Sequence, residues 1–271
     1  MYTAPSLQLP WYVVLGNHDH YGNATAQVAY AAEGRGSGRW KLPALSSPTA
    51  DRAYYDFTRT LGGMKVHVVV LDTVVLAGDC FPGPGGEACA PPKLADTPEA
   101  RLAADAQLQW AEGVMRASTA DWLLVAGHYP VWSVGEHGPT QVLIDGLKPL
   151  LEEYGVPLYL NGHDHNLQHL TDGGVHYFDC GAGQYEEDNK DHASAVPEGS
   201  LQFFRAVGGF CRLTIKSDDA LLLEMIDKTN EVVHSVTVGN SFGARRRARL
   251  AAAKAGKAAK KQNGVHVQAA L

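Results

Sequence analysis

The sequence lacks several features that would assign it to a well-defined class. No apolar run approaches the length of a membrane-spanning helix, which predicts a chain without a membrane span. Only four of the 271 residues are cysteines, and none of them forms a Cys-x-x-Cys pair. The spacing therefore argues against a zinc ribbon.

Positive charge is scarce outside the last part of the chain. Residues 241–271 contain eight Lys and Arg and no acidic residue, whereas residues 1–240 contain 15 basic and 29 acidic residues, a net charge of −14. An acidic body of this kind argues against nucleic acid as the main partner. We predict one folded domain over residues 1–240, followed by a basic tail over 241–271 that is disordered.

Three short apolar runs each end in a glycine that is followed by side chains able to bind a metal. The runs are Leu9–Leu15, Trp122–Ala126 and Val156–Leu160. Open α/β sheets carry their sites at the carboxyl ends of their strands. Imidazole and amide groups suit Zn, Mn or Fe(II). The candidate ligands of one shared site are Asn17, His128, His163 and His165.

The spacing of the histidine pair sharpens this prediction. In an extended chain, side chains at i and i+2 point to the same side, so His163 and His165 are expected to face one cavity. His18 and His137 are expected to face it without binding metal, where an imidazolium would stabilise negative charge or protonate a leaving group. Six further histidines are interpreted as structural or exposed: His20, His169, His176, His192, His234 and His266.

The cysteines and one sequon carry smaller predictions. Cys80 and Cys89 flank a loop rich in proline and glycine and could close it as a disulfide. Cys180 and Cys211 lie in strand-like runs and are interpreted as buried apolar residues rather than ligands. Asn23 begins an Asn-Ala-Thr glycosylation sequon.

The order of the predicted elements indicates the fold class. Early strands alternate with helices, whereas the runs after residue 174 are strands joined by short turns. This pattern predicts an α/β domain in which two sheets pack together with helices outside. A helix is predicted over Thr140–Leu147, with a separate turn starting at Pro149, because proline cannot continue a helix without loss.

Four motifs together resemble the purple acid phosphatases, in particular the small tartrate-resistant type within the calcineurin-like metallophosphoesterases. They are Gly-Asn-His-Asp-His-Tyr-Gly-Asn at 16–23, Ala-Gly-His-Tyr-Pro-Val-Trp-Ser at 126–133, Glu-His-Gly-Pro-Thr at 136–140 and Gly-His-Asp-His-Asn-Leu at 162–167. The similarity extends from about Leu9 to Val238. It implies the metallophosphoesterase αββα sandwich, with two packed mixed sheets flanked by helices. It also implies hydrolysis of small phosphomonoesters or phosphoproteins.

The resemblance further implies a dinuclear metal centre of Fe(III) with Fe(II), Zn or Mn. Asn17, His128 and His163 match the family's ligands of one metal, and His165 matches a ligand of the other. His18 and His137 match its two catalytic histidines that bind no metal. The sequon at Asn23 and cysteines able to pair fit a family that is mostly secreted, lysosomal or vacuolar.

The sequence departs from the family pattern in one respect. The family's Asp-x-Gly and Gly-Asp-x-x-Tyr motifs, which supply the bridging carboxylate and a tyrosinate, do not occur before Gly16. We therefore expect an incomplete copy of the domain that lacks its first strands. The alternatives are an inactive metal- or phosphate-binding remnant and a phosphodiesterase or nuclease of the same superfamily. The Glu-His-Gly-Pro-Thr loop and the acidic body favour the phosphomonoesterase over the nuclease.

Overall fold

The computed structural model describes residues 4–34, 38–42, 53–78, 98–183, 185–246 and 248. Its helices are α1 (Asn17–Tyr21), α2 (Ala24–Ala32), α3 (Thr73–Leu76), α4 (Pro98–Ala117) and α5 (Gln141–Tyr154). Its strands in the first part are β1 (Trp11–Tyr12), β2 (Trp40–Lys41), β3 (Tyr55–Leu61), β4 (Met64–Val70), β5 (Trp122–Ala126) and β6 (Leu158–Asn161). The later strands are β7 (Leu167–Asp172), β8 (Val175–Cys180), β9 (Leu201–Arg205), β10 (Gly209–Ile215), β11 (Ala220–Asp227) and β12 (Val232–Gly239).

A seven-stranded mixed sheet forms the centre of the fold, in the order β3-β4-β5-β6-β8-β7-β9. Strands β4, β5, β6 and β8 pair parallel, β3 and β7 join them antiparallel, and β9 pairs antiparallel with β7 at the edge of the sheet. The other sheets are the antiparallel β10-β11-β12 and the parallel pair β1-β2. The four parallel strands therefore end at one edge of the central sheet, where the polar turns follow.

Apolar side chains cover both faces of the central sheet. On one face, helices α3, α4 and α5 bury residues such as Met115, Leu143 and Leu147 against β4 and β5. On the other face, Leu221 and Leu223 of β11 pack against the central strands. Burial on both faces explains why β4 and β5 are continuous apolar runs.

The expected α/β fold with two packed sheets and flanking helices is confirmed, with a correction to the second sheet. That sheet is antiparallel rather than mixed. Within the described residues, helices α3 to α5 cover one side of the two-sheet stack. The strand predicted over residues 9–15 is reduced to Trp11–Tyr12, since Asn17–Tyr21 already forms a short helix.

A disulfide joins the two larger sheets. Cys180 at the end of β8 bonds Cys211 of β10, with their Cα atoms 5.8 Å apart. Their interpretation as buried apolar residues is corrected, since both are half-buried and bonded to each other. Facing strands of two packed sheets can bring distant cysteines within bonding distance. The predicted loop that contains Cys80 and Cys89 lies outside the described residues.

The carboxyl-terminal part is only partly described. Residues 241–246 are helical, and Phe242 packs into the core at 5% exposure. Folded structure thus continues past residue 240, while nearly all of the rest of the predicted basic tail, including His266, lies outside the described residues. The division into a domain and a disordered tail stays a prediction. None of the described helices combines the length and the apolar composition needed to cross a membrane.

Candidate metal centre

The turns after β5 and β6 are hydrogen-bonded to each other at the carboxyl edge of the central sheet. The Gly162 N–H donates to the His128 carbonyl over 3.1 Å, and the Gly127 N–H donates to the Leu160 carbonyl over 3.0 Å. Thr73 Oγ1 accepts hydrogen bonds from the backbone N–H groups of His128 (3.0 Å) and of the next residue. These bonds fix the backbone that carries His128 and His163.

Helix α1 brings Asn17 to the same place from another part of the chain. Gly16 precedes this helix and lies against the His128 ring, so that a Cβ at this position would come within 2.9 Å of the ring carbon Cε1. The Gly16 N–H donates to Asp19 Oδ2 over 2.9 Å, which holds the first turn of α1. A glycine is therefore required for Asn17 to approach His128.

Three potential ligand atoms converge in this arrangement. Asn17 Oδ1 lies 2.9 Å from His128 Nε2, and His163 Nδ1 lies 3.2 Å from the same nitrogen. One imidazole nitrogen carries at most one hydrogen, so His128 Nε2 cannot form two full hydrogen bonds as a donor. Two ligand atoms bound at about 2.1 Å to one metal lie about 3.0–3.4 Å apart. The three atoms therefore fit one divalent cation.

Burial also prepares the two histidines for this role. Desolvation lowers the pKa of His128 to about 4 and that of His163 to about 3, with smaller effects from neighbouring histidines. Both rings are neutral at pH 7, and a neutral imidazole has the lone pair that a metal requires.

The backbone around His165 differs from the extended chain that its spacing suggested, although His165 lies close enough to contribute to the lowered pKa of His163. That the two rings face one cavity stays a prediction. His163 adopts a left-handed backbone conformation with φ of 82°, and residues 163–166 form bends rather than a strand. The alternation of an extended chain does not apply there. Within the described residues, no hydrogen bond or ring contact joins the two rings.

The His165 ring is held by a carboxylate instead. Its Nδ1 lies 3.0 Å from Glu187 Oε1, and its backbone N–H donates to Glu187 Oε2 over 3.1 Å. Burial alone would raise the pKa of Glu187, but the bonds to His165 outweigh it and the pKa is lowered. A ligating histidine usually donates its other ring nitrogen to such a carboxylate. The arrangement leaves His165 Nε2 for a metal.

A second carboxylate holds His137 beside the converging ligands. Asp164 Oδ1 lies 2.7 Å from His137 Nδ1 and accepts the His137 backbone N–H over 3.0 Å, while Ser133 Oγ donates to Asp164 Oδ2. The hydrogen bond to Asp164 raises the pKa of His137. Although burial opposes it, the same bond helps to lower the pKa of Asp164. His137 is therefore biased towards the imidazolium.

His137 lies at the wall of an open cleft of about 430 Å³. Its ring centre is 3.9 Å from that of His163, and Tyr129 and Thr140 also line the cleft. Donor atoms of His137, Asp164 and Glu187 lie within 4.8 Å of one another, so this group could also hold a cation. Because their atoms are already engaged in hydrogen bonds, the group around His128 is the better candidate.

Three further residues singled out by the sequence do not line the cleft: His18, His20 and Asn23. His18 is exposed and directs its ring edge towards Tyr21, with ring centres 5.8 Å apart. His20 is buried and bonds both oxygens of Asp72, at 3.0 and 3.1 Å, in agreement with a structural role. Asn23 is exposed, and its side-chain oxygen caps α2.

Sequence reasoning missed the two carboxylates that hold the histidines. Asp164 had a usable signal, because it lies between two histidines in a turn and can point away from the metal. Glu187 had none, since it lies in an acidic run 22 residues after His165 and nothing distinguishes it from Glu186. Ser133 was likewise quoted only as part of a motif.

Known proteins resemble this chain in sequence and in fold. Residues 1–167 match the family model described as calcineurin-like phosphoesterase. Human tartrate-resistant acid phosphatase type 5 is 43% identical over 219 residues, which cover 78% of this chain and 62% of the relative. Purple acid phosphatase 17 of Arabidopsis thaliana is 31% identical over 236 residues, covering 86% and 64% respectively. The chain thus spans about three-fifths of the length of these relatives.

One solved structure supports the fold by itself. GAP50, described as the anchor in the inner membrane complex of Plasmodium, matches with a TM-score of 0.65 at 22% identity, over 85% of this chain and 66% of that one. The family model, which covers more than half of the residues, supplies the stronger conclusion. This chain belongs to the calcineurin-like phosphoesterase family and is similar to its purple acid phosphatases.

Proposed function

We propose that this chain carries most of the active site of a metal-dependent acid phosphatase that hydrolyses phosphate monoesters. The observation that carries the proposal is the convergence of Asn17 Oδ1 and His163 Nδ1 on His128 Nε2, at 2.9 and 3.2 Å. These residues come from three distant parts of the chain. The similarity to tartrate-resistant acid phosphatase supports the choice of reaction.

The proposed cofactor is a dinuclear centre of Fe(III) with Fe(II), Zn or Mn. Asn17, His128 and His163 would hold one ion, and His165 would bind the other through Nε2. When bound, such a pair of ions activates water and neutralises the charge on phosphate oxygens. The chain's own contribution is to keep the imidazoles neutral and their nitrogen atoms in place.

His137 is the proposed proton donor. Its Nδ1 is engaged by Asp164, and its raised pKa favours the protonated ring at the mouth of the cleft. An imidazolium there can donate a proton to the oxygen of the departing alcohol. His18 is proposed to attract the phosphate group, since it is exposed and directly follows Asn17.

Small phosphomonoesters or phosphoproteins are the proposed substrates, and a secreted, lysosomal or vacuolar location is proposed from the same resemblance. The exposed Asn23, whose side-chain oxygen alone is engaged in the described hydrogen bonds, supports glycosylation at this sequon. Its cap on α2 does not require the amide nitrogen.

Two forms of the protein provide the test. One is the 271-residue chain, and the other is the same chain preceded by a family segment that carries Asp-x-Gly and Gly-Asp-x-x-Tyr. Metal content and hydrolysis of p-nitrophenyl phosphate are measured for both. We expect the longer form to bind two metals and to hydrolyse the monoester. The shorter form should be poorly soluble, not purple and nearly inactive, because only His165 serves the second ion.

The alternatives give different results in the same assay. Faster hydrolysis of bis(p-nitrophenyl) phosphate than of the monoester would indicate a phosphodiesterase. Metal binding without hydrolysis of either compound by the longer form would indicate an inactive binding protein. Equal activity of the two forms would show that other residues of this chain supply the carboxylate that bridges the two metals.

A further inference from the structure

Three histidines form a hydrogen-bonded chain away from the metal centre. His169 Nδ1 lies 3.0 Å from His234 Nε2, and His169 Nε2 lies 2.9 Å from His176 Nδ1. His169 in β7 is 2% exposed, and it uses both ring nitrogens. The other two rings are partly buried in β8 and β12. The row of hydrogen-bonded rings therefore crosses from the central sheet to the three-stranded sheet.

The surroundings of these rings are apolar. Phe178 of β8 stacks on His169, with ring centres 4.4 Å apart, and Phe203 of β9 stacks on His234 at 4.5 Å. Met225 of β11 is the neighbour of His234 in the three-stranded sheet, and Leu158 of β6 is the neighbour of His176 in the central sheet.

The three rings have no charged hydrogen-bond partner among the described residues. In the described part of the chain, no carboxylate is hydrogen-bonded to any of them. The titratable groups whose electrostatic effects lower the pKa of His169, besides burial, are the other two histidines. The three hydrogen-bonded rings thus form an uncharged polar contact inside an apolar interface.

Protonation conflicts with this arrangement for two reasons. Each N···N contact needs one hydrogen and one lone pair, so neutral rings satisfy both contacts. A proton added to the buried His169 places an unpaired charge in an apolar interface. Protons on two adjacent rings place two N–H groups against each other and remove a contact.

We propose that His169, His176 and His234 form an acid-sensitive latch that holds the two sheets together only while the three rings are neutral. Strand β7 begins two residues after His165, so release of the latch also loosens the segment that carries this ligand. The disulfide Cys180–Cys211 joins the same two sheets and keeps β8 and β10 connected when the latch opens. The latch thus sets a lower limit of pH for the folded protein.

The direction of the pH effect follows from burial. Desolvation lowers the pKa of all three histidines, that of His169 to about 3, whereas an unfolded histidine titrates near 6.5. Below pH 6.5 the unfolded chain therefore binds more protons than the folded one, and stability falls as the pH falls. For His169 alone, the unfolding constant should rise about tenfold per pH unit between pH 6 and pH 4.

Urea unfolding of the protein at pH values from 8 to 4 provides the test. We compare the wild type with His169→Gln and His234→Gln. We expect the pH dependence below pH 6.5 to weaken by about one decade per pH unit in His169→Gln. An unchanged dependence in both latch variants would overturn the proposal.

A second measurement does not depend on how the variants fold. Two-dimensional NMR of histidine ring nitrogens in the wild type reports the protonation of each ring. The latch predicts that the three rings remain neutral in the folded protein at pH 5.5, and that loss of folded signals accompanies their protonation. Protonation of all three near pH 6.5 with the fold intact would contradict it. Neither readout requires phosphatase activity, so failure of the latch is distinguishable from failure of the proposed reaction.

Discussion

Two groups of buried histidines in this molecule differ in how their nitrogen atoms are arranged. In the metal centre, Asn17 Oδ1 and His163 Nδ1 both face the single nitrogen His128 Nε2. In the latch, His169 uses a different nitrogen for each neighbour. The metal centre therefore leaves an excess of lone pairs at one point, whereas the latch satisfies each contact with one hydrogen.

The comparison shows that burial and a lowered pKa do not by themselves identify a ligand. Burial lowers the pKa of both His163 and His169 to about 3. What separates them is convergence, because a cation can replace the missing hydrogens at His128 but is not needed at His169. All hydrolysis rates compared below refer to the form that carries the family segment, because the 271-residue chain alone is expected to be nearly inactive.

The largest effect is expected from His128→Ala. Removing the shared nitrogen should abolish binding of the ion held by Asn17 and His163, and hydrolysis by the metal-loaded protein should fall by more than about 100-fold. Even loss of a hydrogen-bond partner of a ligand costs about 10- to 100-fold. Metal content by mass spectrometry and hydrolysis rates check this, with Glu186→Gln as the control that should retain metal, because Glu186 bonds Lys228 and no predicted ligand. Unchanged metal content in His128→Ala would remove His128 from the site.

A comparable loss of turnover, with metal retained, is expected from His137→Gln. Loss of a proton donor lowers turnover by about 10²- to 10⁴-fold. Asp164 raises the pKa of His137, so activity that needs the imidazolium persists above the usual histidine range and is lost as the pH rises through the raised value. Asp164→Asn should shift this loss to lower pH. Loss of metal from His137→Gln would show that this residue is a ligand.

A smaller effect is expected from Glu187→Gln. This change weakens the hydrogen bond that orients His165, and should lower the affinity for the second ion by about 10- to 100-fold in the form with the family segment. Glu186→Gln is the matched control, because Glu186 bonds Lys228 and not a predicted ligand. Competition with a metal-sensitive dye measures both affinities. Equal affinities in the two variants would argue that His165 does not bind metal.

The smallest effect is expected from His20, a buried histidine with a carboxylate partner. Burial alone would lower its pKa, but the bonds to Asp72 outweigh it and the pKa is raised. This contribution is fully present below pH 6.5 and is lost as the pH rises through the raised value, the reverse of His169. His20→Gln should therefore cost more stability at pH 5.5 than at pH 8, by at most about 1.4 kcal/mol per pH unit. Urea unfolding at the two pH values would show a sign error as a larger cost at pH 8.

Most of the fold could be predicted where strands are apolar runs. Strand β5 has the predicted bounds, because its apolar composition alone specifies them. Strand β7 was missed, since its buried Gln168 and His169 are polar and pack through partners from other elements. Helix α5 continues through Pro149 because Leu147 and Leu151 bury the same face on both sides of it.

The site was predictable to the extent that it follows strand ends. Glycine after an apolar run correctly indicated the turns that carry His128 and His163. The course of the backbone from His163 to His165 could not be predicted, because the left-handed conformation at His163 breaks the two-residue alternation. Contacts such as that of Glu187 depend on tertiary packing across 22 residues and leave no local pattern.

Anomalous X-ray diffraction from crystals grown with Zn²⁺ shows directly whether Asn17, His128 and His163 hold one cation. The convergence of ligand atoms predicts a strong peak about 2.0–2.2 Å from Asn17 Oδ1, His128 Nε2 and His163 Nδ1. It predicts no peak between His169 and its neighbours, where each nitrogen already has a partner. A metal peak within the latch, together with none beside His128, would show that convergence of ligand atoms does not identify the metal site.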